Sequence, residues 1–93
     1  MMMKKYVLDI RCGKDTNIDI DKAENVTTEE FEKVLDGLRN IMNTFLPKFK
    51  FRPIDELYMK EFEDGMTKAL NNIGKVIYVE RMEEFRICFA FMA

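Results

Sequence analysis

The sequence contains no Ser, His, Trp or Gln. Without Ser and His, the hydroxyl–imidazole triads of hydrolases are excluded. Without His, most zinc sites lose their usual ligand. The two Cys residues, Cys12 and Cys88, form no CxxC pair, and the four Gly form no phosphate-cradling loop. Long apolar runs are also missing. The longest, Ile87 to Ala93, is far too short to span a bilayer. Met1-Met2-Met3-Lys4-Lys5 lacks the apolar stretch of a secretory leader. The expectation is a cytoplasmic protein with reduced thiols and no membrane contact, in which Asn25-Val26-Thr27 is a chance glycosylation sequon.

What remains is a globular composition. Hydrophobic residues make up 47% of the 93-residue chain and charged residues 34%, which suits one domain over residues 1–93. The net charge of −2 provides no global attraction to nucleic acid or anionic lipid.

Residues 4–12 alternate, with Tyr6, Leu8, Ile10 and Cys12 on one face and Lys5, Val7, Asp9 and Arg11 on the other, which predicts a strand. Gly13-Lys14-Asp15 supplies a turn, and 16–21 alternates again to complete a hairpin. Thr27 and Glu30 form a capping box, with Val26 and Phe31 spaced as a hydrophobic staple. Phe31, Val34, Leu35, Leu38, Ile41, Met42, Phe45 and Leu46 then extend an apolar stripe at helical spacing, predicting a helix over 28–46 that Pro47 stops.

Lys48 to Arg52 reads as extended and alternating, and Pro53 as the first turn of a second helix reaching about Asn72, stopped by Gly74. Ile54, Leu57, Tyr58, Phe62, Met66, Ala69, Leu70 and Ile73 are its expected buried face. Gly65 lies inside this helix, where close packing is the expected reason for it. Strands over 75–80 and 85–92 form the last hairpin, with Phe85, Ile87, Phe89 and Phe91 toward the core. The expected fold is an α+β two-layer sandwich: a four-stranded antiparallel sheet with two helices on one face, in the order ββααββ, and one core joining Phe31, Phe62 and Phe89.

Candidate sites are few. Asp15, Asn17, Asp19 and Asp21 have the spacing that opens an EF-hand loop, but Ile20 stands where Gly is needed and Val26 where a bidentate Glu is needed. A solvated strand face is the better reading, and no metal is expected. No acidic residue is followed two positions later by Lys, against metal-dependent nuclease chemistry. Cys12 and Cys88 fall on opposite faces of their strands and read as small buried hydrophobes. No cofactor is implied.

Two functional readings remain, with a carboxylate-based hydrolase little supported beside them. In the favoured one, the chain is a small non-enzymatic protein-binding module. Its acids Asp15, Asp19, Asp21, Glu61, Glu63, Asp64, Glu83 and Glu84 would imitate a phosphate backbone and occupy the basic groove of a nucleic-acid-handling partner. Small virally encoded inhibitors act in this way; that comparison rests on size and charge alone. The alternative is a nucleic-acid-binding domain using Lys48, Phe49, Lys50, Phe51 and Arg52. Alternation would separate these cations from the rings, leaving Phe49 and Phe51 to close the core. Val7, Cys88, Ala90 and Met92 form a semi-apolar face that is ill suited to an open edge. A homodimer would cover it, whereas a central position in the sheet would leave a monomer; the two stand level.

Overall fold

The computed structural model describes residues 3–93. Strands β1 (Lys5–Arg11) and β2 (Asn17–Glu24) precede helices α1 (Thr28–Thr44) and α2 (Glu56–Asn71), and strands β3 (Lys75–Met82) and β4 (Arg86–Met92) follow. The expected α+β order ββααββ is present. All pairings are antiparallel in the spatial order β2-β1-β4-β3, so the first and last strands share the centre.

Alternation decides which face of the sheet is covered. Tyr6, Leu8, Ile10, Ile87, Phe89 and Phe91 are fully buried beneath the helices, joined by Val34, Leu38 and Ile41 of α1 and Phe62, Met66 and Leu70 of α2. Phe31 packs against this same cluster, so Phe31, Phe62 and Phe89 belong to one core. The capping box forms as expected: Glu30 N–H donates to Thr27 Oγ1 at 3.1 Å, and Thr27 N–H to Glu30 Oε1 at 3.0 Å. Two orphan amide donors at the helix start are thereby satisfied.

Several expectations require correction. Lys48 to Arg52 is not extended: Leu46–Phe49 is a turn of 3-10 helix, with Pro47 in its first turn. This rotation sends Phe49 inward, among Phe45, Tyr58 and Phe62 at centroid distances of 5.0–5.2 Å. It leaves Phe51 88% exposed and not in the core. Helix α2 starts at Glu56 and not at Pro53, because Asp55 is the cap and accepts from Tyr58 N–H at 2.8 Å. Leu57 is exposed because its helical neighbours are Lys60, Glu61 and Asp64, whereas Met59 is buried.

Gly74 is no left-handed cap. Its φ is not positive, and Asn72 closes the helix instead. A Cβ on Gly74 would overlap the carbonyl oxygen of Met92, so the residue serves close packing. Phe85 leaves the core for the β3–β4 turn, where Glu84 and Phe85 take φ of 59° and 60°. Strand β4 is central, not an edge; the edges are β2 and β3.

Candidate functional site

The helices cover one face of the sheet, and the fold leaves the opposite face without a layer. Its composition follows from register. Along β1 it receives Lys5, Val7, Asp9 and Arg11, and along β4 Met92, Ala90, Cys88 and Arg86, each directly across from its partner in that order. Strand β3 adds Lys75, Tyr78, Glu80 and Met82, and β2 adds Glu24, Lys22, Asp19 and Asn17. Bulges re-aim both edges. The extra residue is Asp21 in β2 and Ile77 in β3.

The centre of this face is apolar. Val7 stands opposite Ala90, and Ala90 opposite Tyr78, while Cys88 lies one row away. The structure therefore gathers Val7, Cys88, Ala90 and Met92, although the open-edge reason for singling them out does not hold. A carboxylate row crosses beside this centre: Asp19, Asp9, then Cys88, then Glu80. Asp21 joins it at a recess of about 160 Å³ lined by Val7, Asp9, Asp21, Met82, Arg86 and Cys88.

The electrostatics are set by who is paired. Asp9 takes both of its oxygens to Arg86, at 3.3 Å to Nε and 2.8 Å to Nη2, a two-pronged ion pair in which both side chains are about one third exposed. Asp19 accepts from Asn17 Nδ2 at 3.1 Å, and Glu80 accepts from the Tyr78 hydroxyl. Among the described residues, Asp19, Asp21 and Glu80 have no cationic partner within ion-pair distance. The Cys88 thiol registers the result. Burial raises its pKa first, then Asp9, Glu80 and Asp21, with only Arg86 opposing.

The other predicted acids are not gathered here. Glu61, Glu63 and Asp64 lie on α2, in the other layer; Glu61 pairs with Arg52 at 2.5 Å and Glu63 with Arg81 at 3.1 Å. Asp15 and Glu83/Glu84 lie in the β1–β2 and β3–β4 turns, at the end of the sheet where Cys12 N–H bonds to the Phe85 carbonyl. The eight acids thus do not form one patch. Sequence reasoning missed Asp9 and Glu80, which complete the carboxylate row. Their signal was a charged position on an otherwise semi-apolar strand face.

The basic-aromatic segment is also divided. Phe49 is buried, and Arg52 lies over the Phe49 and Tyr58 rings at 5.2 and 5.8 Å while bound to Glu61. Lys50 sits 5.5 Å from the exposed Phe51 ring. Of the five residues, Lys48, Lys50 and Phe51 are left for an outside ligand.

Cys12 and Cys88 are both free, Cys12 in the core and Cys88 on the outer face. Burial pushes the Cys12 thiol up to about 11. Asp15, Asn17, Asp19 and Asp21 spread from the turn along β2, and among the described residues no group of three or more Cys, Asp or Glu side chains is placed to hold a metal ion. Comparison with protein-family models, curated proteins and solved structures finds no match to this chain.

Proposed function

We propose that this protein is a non-enzymatic binding module whose uncovered sheet face docks a protein partner carrying basic side chains around an apolar contact. The observation that carries this reading is the row Asp19, Asp9, Glu80 with Asp21, set beside an apolar centre in which the half-buried Val7, Cys88 and Met92 surround the buried Ala90. An apolar centre inside a charged rim is the usual anatomy of a protein interface. Asp19, Asp21 and Glu80, which have no cationic partner among the described residues, add steering and selectivity for a basic surface. A groove that otherwise holds a nucleic-acid backbone fits this description, which keeps the inhibitor-like role as the specific form of the proposal. Two unpaired thiols agree with a reducing compartment such as the cytoplasm. Among the described residues no helix is long and apolar enough to cross a membrane.

The test is a comparative capture from host lysate. Wild type should retain a protein that Asp19→Lys/Asp21→Lys/Glu80→Lys loses, that Phe51→Ala keeps, and that heparin displaces. Equal capture by the charge-reversed bait would exclude this face.

One observation favours a second reading, nucleic-acid binding through residues 48–52. Phe51 is exposed with Lys50 against its ring, so a cation and an aromatic do share a surface. It predicts salt-sensitive binding of single-stranded oligonucleotide that Lys48→Ala/Lys50→Ala/Phe51→Ala abolishes.

A further inference from the structure

We propose that the β3 edge of the sheet takes an antiparallel strand from a protein partner, one that sets a lysine or arginine across from Glu80. Such a strand would belong to the basic partner of the docking face, and to that extent it rests on the same reading.

Backbone pairing identifies the free groups. Cys12 N–H donates to the Phe85 carbonyl at 2.9 Å, and Ala93 N–H to the Lys4 carbonyl at 3.3 Å. Hydrogen-bonded pairs alternate along an antiparallel ladder, so Ile87, Phe89 and Phe91 bond to β1, and Arg86, Cys88 and Ala90 turn to β3. Their partners Met82, Glu80 and Tyr78 are thereby used. Val76, Val79 and Arg81 point their backbone groups out of the sheet instead. Val76 N–H is taken by Asn71 Oδ1 at 2.9 Å. Val79 and Arg81 have no such partner among the described residues.

The side chains along this edge select the occupant. Tyr78, Glu80 and Met82 alternate on the outer face, and Tyr78 and Met82 are exposed. The other edge, β2, carries Asn17, Asp19, Lys22 and Glu24 on that face, with no exposed large apolar side chain. Glu80 accepts from the Tyr78 hydroxyl, lies across from Cys88 on β4, and has no cationic partner among the described residues.

A second copy is a poor occupant. The regular run between the Ile77 bulge and the β3–β4 turn is centred on Glu80, so the two-fold pairing that uses both Val79 and Arg81 sets Glu80 against Glu80 of the second copy. Those two would form the closer, non-hydrogen-bonded kind of pair, about 4.5 Å between Cα atoms, where like charges are destabilising. A strand with a cation at that position, and apolar residues two places to either side, reverses the sign and covers Tyr78 and Met82.

The full chain serves as the probe, because Glu80→Lys gives β3 itself the required cation. Wild type, the Glu80→Lys chain and their equimolar mixture are sedimented at neutral pH and low salt. The mixture should form a heterodimer at least about tenfold more tightly than either chain pairs with itself. Val79 and Arg81 amides should gain protection from hydrogen exchange in the mixture alone. Val79→Pro in the wild-type chain deletes an outward donor and should abolish the heterodimer. If that chain does not fold, the exchange pattern still reads the edge. Asp19→Lys makes the same charge change on β2 and should not pair with wild type. A mixture no tighter than its components, or equal pairing by Asp19→Lys, would overturn the strand site. So would wild type pairing with itself as tightly as with Glu80→Lys, which would make a second copy the occupant. None of these results bears on capture of a lysate protein by the sheet face, so the docking reading stands or fails separately.

Discussion

The Phe45 ring occupies the space that a side chain on Gly65 would need, which locks the end of α1 onto the middle of α2. Phe45 also contacts Phe49 and Phe62, at 5.0 and 5.5 Å, so this approach joins the helix pair to the aromatic cluster. Gly65→Ala sets two effects against each other. Helix propensity favours Ala by about 1 kcal/mol. Overpacking against a ring held in the core costs about 1–3 kcal/mol. The clash is with ring atoms that have little room to retreat, so net destabilisation of about 1–2 kcal/mol is expected by urea unfolding. A stabilised variant would show that the ring moves freely.

The capping box gives a prediction in acid. Glu30 is held down to about 2 by Lys4, the Thr27 amide and the Thr27 hydroxyl, against an ordinary value of 4.5. A depressed carboxylate stabilises the fold fully above its unfolded value and loses that contribution as pH falls toward its folded one. The window is therefore from about pH 4.5 down to about 2. Tm measured across it should fall less steeply for Glu30→Ala than for wild type. At neutral pH, Thr27→Ala should cost about 1 kcal/mol.

The β3–β4 turn holds two bulky residues in the left-handed region, Glu84 at 59° and Phe85 at 60°. Such residues pay about 1–2 kcal/mol each relative to glycine-tolerant geometry. Replacing Glu84-Phe85 by Asn-Gly, the residues this turn favours, should raise stability by about 1 kcal/mol in chemical denaturation. If stability falls instead, the half-exposed Phe85 ring contributes packing that outweighs its strained backbone.

The thiols should separate by reactivity. Burial alone drives Cys12 up to about 11, and Cys88, raised by burial and three carboxylates, is partly exposed. Both should react slowly at pH 8 in native protein, Cys88 first, with Cys12 modified only after denaturant is added. Mass spectrometry of timed quenches reads this order. Asp21→Asn and Glu80→Gln should speed Cys88 labelling, since each removes a negative charge that disfavours thiolate.

Much of the architecture was legible because the local signals agreed with one another. The period-two alternation around Leu8 and Phe89 and the Thr27/Glu30 pair each had one reading that the whole fold could use. The failures have a common cause: the side chain's direction was decided by a turn whose geometry the sequence does not print. One 3-10 turn leaves Phe49 buried as expected and turns Phe51 out of the core. One cap at Asp55 moves the helix start past Pro53, and Leu57 falls on the charged side of the helix with Lys60, Glu61 and Asp64. The bulge that presents Asp21 exists only in the pairing with β1. The carboxylate row was invisible for a similar reason, since Asp9 and Glu80 are far apart in sequence and meet only across β4. Tyr6 read as ordinary core, and the lack of a partner for its buried hydroxyl is a property of the packing around it.

The placement of β1 and β4 at the middle of the platform has a consequence for biosynthesis. One hairpin, the helix pair and β3 leave the ribosome before the backbone bonding between β1 and β4 can form. Until Met92 emerges, nothing joins the leading hairpin to β3, so the nascent polypeptide must wait for its final ribbon before it can close.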